Sequence, residues 1–424
     1  MKDRIIVGYD LGPASAQISY CTYENQIPET LAVIPGTEKY SIPTMLCKRN
    51  NVNQWFYGDD AVRHANQGDG TLVTEIVEKA LAGEKIEIDG TEFDAVALLT
   101  LFIKRSLSKL SAVFNGDRVE GIMFTCKNLD TDMVEVLKGV VSGLGLKTKY
   151  VCFQSHAESF YQYMLHEPEE LWVRDVLLFD YSSDSMKVYR MECNRRTTPI
   201  VSFIEEAEFS FFACNDFPEE DYLKEKVFEQ MDSRFLSILE ECCEGRLIST
   251  AYLIGDGFAE NWMKNSLQYL CRGRRVFQGN NMYSKGACHG MMERIIPSKI
   301  GKQHVFLGAE KLKSNIGMKV LRQGKDSYLA LLDAGISWHE ANNEVEFHLL
   351  GENYFDITIT PLNGRDVQVI RVTLEGLPTR KTPTRLYLNI SMTDESKVKL
   401  YVEDLGFGEI EPSGYQKWTE YFEV

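Results

Sequence analysis

Several common chemical signatures are missing from this 424-residue chain. It has no C-x-x-C, which excludes the usual zinc ribbon and thioredoxin-like site. None of its seven histidines falls in an H-E-x-x-H or pairs with a cysteine at metal spacing, which disfavours a metal cage built from protein ligands alone. Neither G-x-x-x-x-G-K-[ST] nor a complete G-x-G-x-x-G occurs. The longest largely apolar stretch, Ala95 to Ile103, is far too short to span a membrane, and MKDRIIVGYD enters a strand without a signal-peptide pattern. The 46 basic residues form no run that could neutralise a phosphate backbone at several points, and 62 acidic residues bring the net charge to −16, so neither nucleic acid nor a membrane is an expected partner. The expected location is cytoplasmic, with the ten cysteines reduced and mostly buried as small apolar residues.

What is present is ordinary globular composition, 44% apolar and 25% charged, with room for two or three domains. One device occurs twice. RIIVGYDLGPASAQISY, from Arg4 to Tyr20, returns in degraded form as VLLFDYSSDSMKVYR, from Val176 to Arg190. Each copy reads as a buried strand ending at an aspartate, Asp10 or Asp180, then a small polar turn and a second strand. Gly12, Pro13, Ala14 and Ser15 fill the first turn, and Ser182, Ser183, Asp184 and Ser185 the second. Backbone N–H groups and hydroxyls in such turns suit a phosphate, and a strand-end carboxylate suits Mg²⁺, which keeps several waters. Two ordinary hairpins whose aspartates close Asx-turns explain either copy taken alone.

Between the copies, Trp55 to Ala65 reads as an extended segment running into a helix that starts at Asp59 or Asp60. Asp94 caps a helix with Val96, Leu99, Ile103, Leu107 and Leu110 on one face. A strand at Gly121 to Thr125 precedes a helix carrying Met133, Leu137 and Val141, stopped by Gly143 and Gly145. Tyr150 to Phe153 is a strand feeding a helix over Ser155 to Leu165. In the second half, Leu223, Val227, Met231, Phe235, Leu239 and Cys242 share a helix face. AYLIGDGF, Ala251 to Phe258, then brings Gly255, Asp256 and Gly257 to a strand end, with a helix expected over Glu260 to Leu270. Strands alternating with helices indicate an α/β region.

Together these motifs resemble the actin-like ATPases, and within them the DnaK-type (seventy-kilodalton heat-shock) chaperones. Ser41 to Thr44 and Tyr57 to Ala61 resemble the first-lobe insert of that family. Asn215, Asp216 and Phe217 resemble one of its helix starts, and YSKGA (Tyr283 to Ala287) the helix after its adenosine motif. From Ser314 onward period-two alternation takes over: Val345, Phe347 and Leu349; Phe355, Ile357 and Ile359; Val367 and Val369; Leu386, Leu388 and Ile390; Val398, Leu400 and Val402. That alternation suggests a β-sandwich, and N-I-G-M-K-V, V-E-F-H-L-L-G-E, L-E-G-L-P and K-L-Y-V-E-D resemble the chaperones' peptide-binding domain.

The resemblance implies a two-lobe ribonuclease H-like α/β domain followed by an all-β sandwich. Lobe I would span residues 1–170, lobe II 171–297, a linker 298–313 and the sandwich 314–424. It further implies ATP or ADP with Mg²⁺ in the inter-lobe cleft. Asp10, Gly12, Ser15, Asp180, Ser182, Ser183, Ser185, Gly255, Asp256 and Gly257 would hold them, Asp10 and Asp180 reaching the ion through water. Val345 and His339 would contact a peptide or protein client. Departures from the family temper the chemistry. Pro13 removes a phosphate donor, Asp184 adds negative charge near the phosphates, and Ser155 stands where a hydrolysis-supporting glutamate is expected. The lobe II insert is much reduced, and the twenty residues after Asp404 are too few for a helical lid. Hydrolysis is therefore expected to be very slow or absent, and a pseudo-ATPase scaffold or actin-like assembly protein is the alternative.

Overall fold

The apolar runs before Asp10 and Asp180 become central strands. The computed structural model describes residues 4–114, 118–214, 217–362, 365–378, 380 and 382–424; Asn215 and Asp216 of the expected helix start lie outside the described residues. Ile5, Ile6, Val7 and Tyr9 are buried in the strand Arg4–Leu11, as are Val176, Leu177, Leu178 and Phe179 in Asp175–Asp180. Burial on both faces is what a continuous apolar run, rather than an alternating one, provides. The chain divides into two compact units, Met1–Val305 and Phe306–Val424, the division falling inside the stretch 298–313 read as a linker. No helix among the described residues is long and apolar enough to cross a membrane.

The first unit is α/β, with two mixed sheets that repeat one strand order. In the first sheet Arg4–Leu11 pairs in parallel with Arg118–Cys126, which pairs in parallel with Tyr150–Ser155; on its other side it pairs antiparallel with Ser15–Thr22, followed by Glu29–Thr30. In the second sheet Asp175–Asp180 has Ile248–Ile254 and then Arg275–Gly279 in parallel on one side, and Ser185–Asn194 and then Ile200–Ser210 antiparallel on the other. Asp10 lies in register with Thr125 and Asp180 with Ile254, so both carboxylates stand at the carboxyl end of a first strand. Ligand sites of open α/β sheets favour that edge.

Local chemistry explains most helices and several departures from expectation. Asp94 accepts a hydrogen bond from the Ala97 N–H at 2.9 Å and starts the helix Ala95–Leu107. Its buried stripe is Ala95, Leu98, Leu99, Phe102, Ile103 and Ser106, rotated from the expected one, and Val96 and Leu107 are only half-buried. The rotation serves Ser106, whose hydroxyl meets the buried Tyr9 hydroxyl at 2.8 Å. Gly143 lies inside the helix Thr131–Leu144, which ends only at Gly145. In the helix Asp221–Cys243 only the second half is buried, and Leu223 is exposed; the core takes Met231, Phe235, Ile238, Leu239, Cys242 and Cys243. The helix expected from Glu260 begins at Asn265. Trp262 is fully buried and donates its indole N–H to the Gly257 carbonyl at 2.8 Å, and Asp232 takes up the N–H groups of Lys264, Asn265 and Ser266.

The helix Met282–Ile295 packs on the first sheet although it follows the second in sequence. Ala287, Cys288, Met291 and Met292 form one buried cluster with Ile6, Cys21 and Met123. A Cβ at Gly8 would collide with the Ser284 carbonyl, and one at Gly286 with the Ser159 carbonyl. On the same helix His289 stacks on His166 at 4.0 Å, and burial, followed by the nearby His166 and Lys285, pushes its pKa down to about 3. Between about pH 3 and 6.5 the unfolded chain therefore binds a proton that the native state refuses, so stability falls as pH falls. His289→Gln is expected to remove this component, worth at most about 1.4 kcal/mol per pH unit, in denaturant midpoints compared at pH 7.5 and 5.

The second unit is β-rich, with two four-stranded antiparallel sheets. Thr384–Met392 alternates strictly, burying Leu386, Leu388 and Ile390, and the next strand buries Val398, Leu400 and Val402. The expected inward pair Val367 and Val369 is exposed instead. Pairing of Ile357 with Ile370 and Phe355 with Val372 sets the opposite phase, and a one-residue slip exchanges the two faces of a strand.

Candidate functional site

The two strand-end aspartates meet through side chains that sequence reasoning missed. Ser155 caps the helix His156–Leu165, accepting the Glu158 N–H at 3.1 Å, and this cap aims His156 back at the first hairpin. His156 Nε2 donates to Asp10 Oδ1 at 2.7 Å. Its imidazole lies flat on the Tyr283 ring, with centroids 3.8 Å apart and planes 10° apart. Tyr283, in the first turn of the helix Met282–Ile295, donates its hydroxyl to Asp180 Oδ2 at 2.9 Å. The other Asp180 oxygen accepts from the Ser182 hydroxyl at 2.6 Å. A continuous bridge thus runs Asp10, His156, Tyr283, Asp180. Burial and then the charge of Asp180 push the Tyr283 phenol well above its ordinary pKa, so it remains a donor.

The other expected phosphate contacts are also engaged within the chain. The Gly12 N–H donates to the Ser15 carbonyl at 3.0 Å, leaving the first turn without that donor as well as the one lost to Pro13. The Ser185 hydroxyl donates to Glu208 at 2.8 Å, and the Ser183 and Ser185 hydroxyls are 3.5 Å apart. Hydrogen bonds from Ser185 and Lys127 hold the Glu208 carboxyl below its usual range, so the second turn faces a carboxylate. Gly255 and Gly257 are explained by Tyr181: a Cβ at the first would strike the Tyr181 carbonyl, and one at the second its ring. Asp256 is exposed in the short turn Asp256–Phe258. Among the described residues no group of three or more His, Cys, Asp or Glu could hold a metal. Asp10, Asp180, the Gly12 N–H and the Ser185 hydroxyl, which a Mg²⁺-nucleotide would use, are thus each engaged by groups of the chain itself.

In the second unit His339 sits half-buried in the turn Trp338–Glu340, edge-on to Trp338 at 5.6 Å. Val345 is half-buried on Asn342–Leu349, opposite the buried Leu388. Of the sequence-derived candidates, the fold joins Asp10, Asp180 and Ser182 in one network and leaves Gly12, Ser15, Ser183, Ser185, Gly255, Asp256 and Gly257 in the flanking turns. Ser155, read from sequence as a lost glutamate, is a helix cap. The S-x-x-E pattern of Ser155 and Glu158 is a local signal for it, whereas nothing local marks His156 or Tyr283, which lie 146 and 103 residues from their aspartates.

No curated protein matches the chain. The family model for a domain of unknown function, DUF8552, matches residues 311–424. The model described as family of unknown function (DUF5716) C-terminal matches residues 27–309, more than half of the chain, which therefore belongs to the DUF5716 family.

Proposed function

We propose that this chain is a pseudo-ATPase scaffold: an actin-like two-lobe domain, divergent from the DnaK type, joined to a β-sandwich that binds a protein or peptide partner. The twice-repeated strand order, with an aspartate ending each first strand, supports the two-lobe reading. The observation that carries the proposal is the bridge from Asp10 through His156 and Tyr283 to Asp180, which joins the two hairpins with side chains where the related ATPases use nucleotide and metal. Phosphoryl transfer depends on positioned cations and donors, and here those groups are directed at one another. The two antiparallel sheets of the second unit offer strand edges, and edge pairing is a common mode of peptide capture.

Isothermal calorimetry with ATP and ADP, each with and without Mg²⁺, tests the reading. The expected result is no Mg²⁺-dependent heat at millimolar nucleotide. Mg²⁺-dependent binding that disappears in Asp180→Ala would overturn it in favour of a nucleotide-coupled chaperone.

A further inference from the structure

The chain is strongly acidic, yet one concavity of the first unit is basic. Three neighbouring parallel strands, Asp175–Asp180, Ile248–Ile254 and Arg275–Gly279, begin at the end of the second sheet opposite Asp180. The loops leading into them border an open concavity of about 670 Å³ lined by Arg174, Arg246, Arg272, Arg274 and Arg275, with Glu170 as its one carboxylate. Three of these arginines come from one loop, Arg272 to Arg275 (RGRR), and the fold adds Arg174 and Arg246 from two others.

These guanidiniums are almost free of acidic partners. Among the described residues Arg174, Arg272 and Arg275 have no ion pair, and Arg274 donates only to the Tyr269 carbonyl, at 3.2 Å, and stacks on that ring. Arg246 stands 3.8 Å from Glu205. The contrast lies next door: the buried Arg190 is matched by Asp175, Glu192 and Glu205. Carboxylates are therefore available in this region and are spent on the buried arginine and Arg246, leaving Arg174, Arg272, Arg274 and Arg275 for something else.

We infer that this cavity binds a compact anion bearing more than one phosphate, such as a di- or triphosphate. One carboxylate or orthophosphate cannot use four forked donors in a single concavity, whereas linked phosphates present many anionic oxygens at short range. The site is separate from the aspartate bridge and needs no Mg²⁺.

Calorimetry at low salt without Mg²⁺ tests this, using inorganic tripolyphosphate, orthophosphate and hexaglutamate. The proteins would be the wild type, R174A/R272A and a control, K85A/K138A, that loses the same charge from exposed positions elsewhere. Tripolyphosphate is expected to bind the wild type and the control alike and R174A/R272A at least about tenfold more weakly, with unchanged melting temperatures. No binding to the wild type, or equal binding to R174A/R272A, would overturn the site. Orthophosphate binding as tightly as tripolyphosphate would overturn the multiple-phosphate assignment, and hexaglutamate doing so would point to an acidic protein segment instead.

Discussion

Asp404→Ala is expected to destabilise the C-terminal unit by about 3–5 kcal/mol. The Asp404 side chain is fully buried and forms a two-pronged pair with Arg380, at 2.8 Å on each side. It also accepts the Gly406 and Gly414 N–H groups, at 2.9 and 2.7 Å. Burial opposes its ionisation, but Arg380 and the two backbone donors outweigh that and hold its pKa below the usual range. Truncation leaves a guanidinium that is only 7% exposed without its counter-charge, which costs far more than the intact pair contributes. R380M/D404L, which removes both charges, should therefore cost less than D404A alone. Hydrogen exchange of the strands Thr384–Met392 and Lys397–Glu409 in the full chain reads both effects. A double variant as unstable as the single one would show that the backbone contacts, rather than the stranded charge, set the cost.

Asp232→Ala is the corresponding break in the first unit, with an expected loss of roughly 3 kcal/mol or more. This carboxylate, 3% exposed, takes the N–H groups of Lys264, Asn265 and Ser266, the Asn265 amide and the Ser266 hydroxyl, all within 3.0 Å. It fastens the long helix Asp221–Cys243 to the start of Asn265–Leu270, in effect an N-cap supplied from another element. Burial raises its pKa, and the hydrogen bonds from Ser266, Asn265 and Lys264 more than reverse that, leaving it lowered. A lowered carboxyl pKa contributes stability above the unfolded value near 3.9, and that contribution is lost as pH falls through the folded value. The thermal midpoint at pH 7 should drop by about 2–4 °C per kcal/mol, and Asp232→Asn, which keeps one acceptor oxygen, should fall between the wild type and alanine. A midpoint unchanged in D232A would mean that water replaces the carboxylate at the helix start.

Local chemistry was legible in the sequence and distant pairing was not. Both hairpins, the Asp94 cap and the alternating strands after Ser314 follow from runs, caps and periods that a short window contains. The helix stripes were located only to within a rotation. Ser106 looks polar in a window and becomes an inward residue only because Tyr9, on a strand 97 positions away, presents a hydroxyl to it. Val369 and Ile370 are equally good strand residues, and the partner strand, not their own pattern, decides which faces inward. The same holds for the site. Asp10 and Asp180 were visible as strand ends, while His156 and Tyr283 acquire their role from two separate helix starts brought face to face. The arginine-lined concavity was hidden for a related reason, since the short RGRR cluster at Arg272 to Arg275 gains Arg174 and Arg246 only through folding.

The placement of the helix Met282–Ile295 also bears on how the chain is made. Strands Arg4–Leu11 and Arg118–Cys126 leave the ribosome well before the helix whose apolar face covers Ile6 and Met123. Until then the first sheet has an uncovered side, a state that invites chaperone binding or aggregation during translation. The second hairpin and the strands around Asp180 through Arg275–Gly279 precede that helix. The half of the unit translated first thus waits for this helix, and the bridge between the two aspartates closes in the same step.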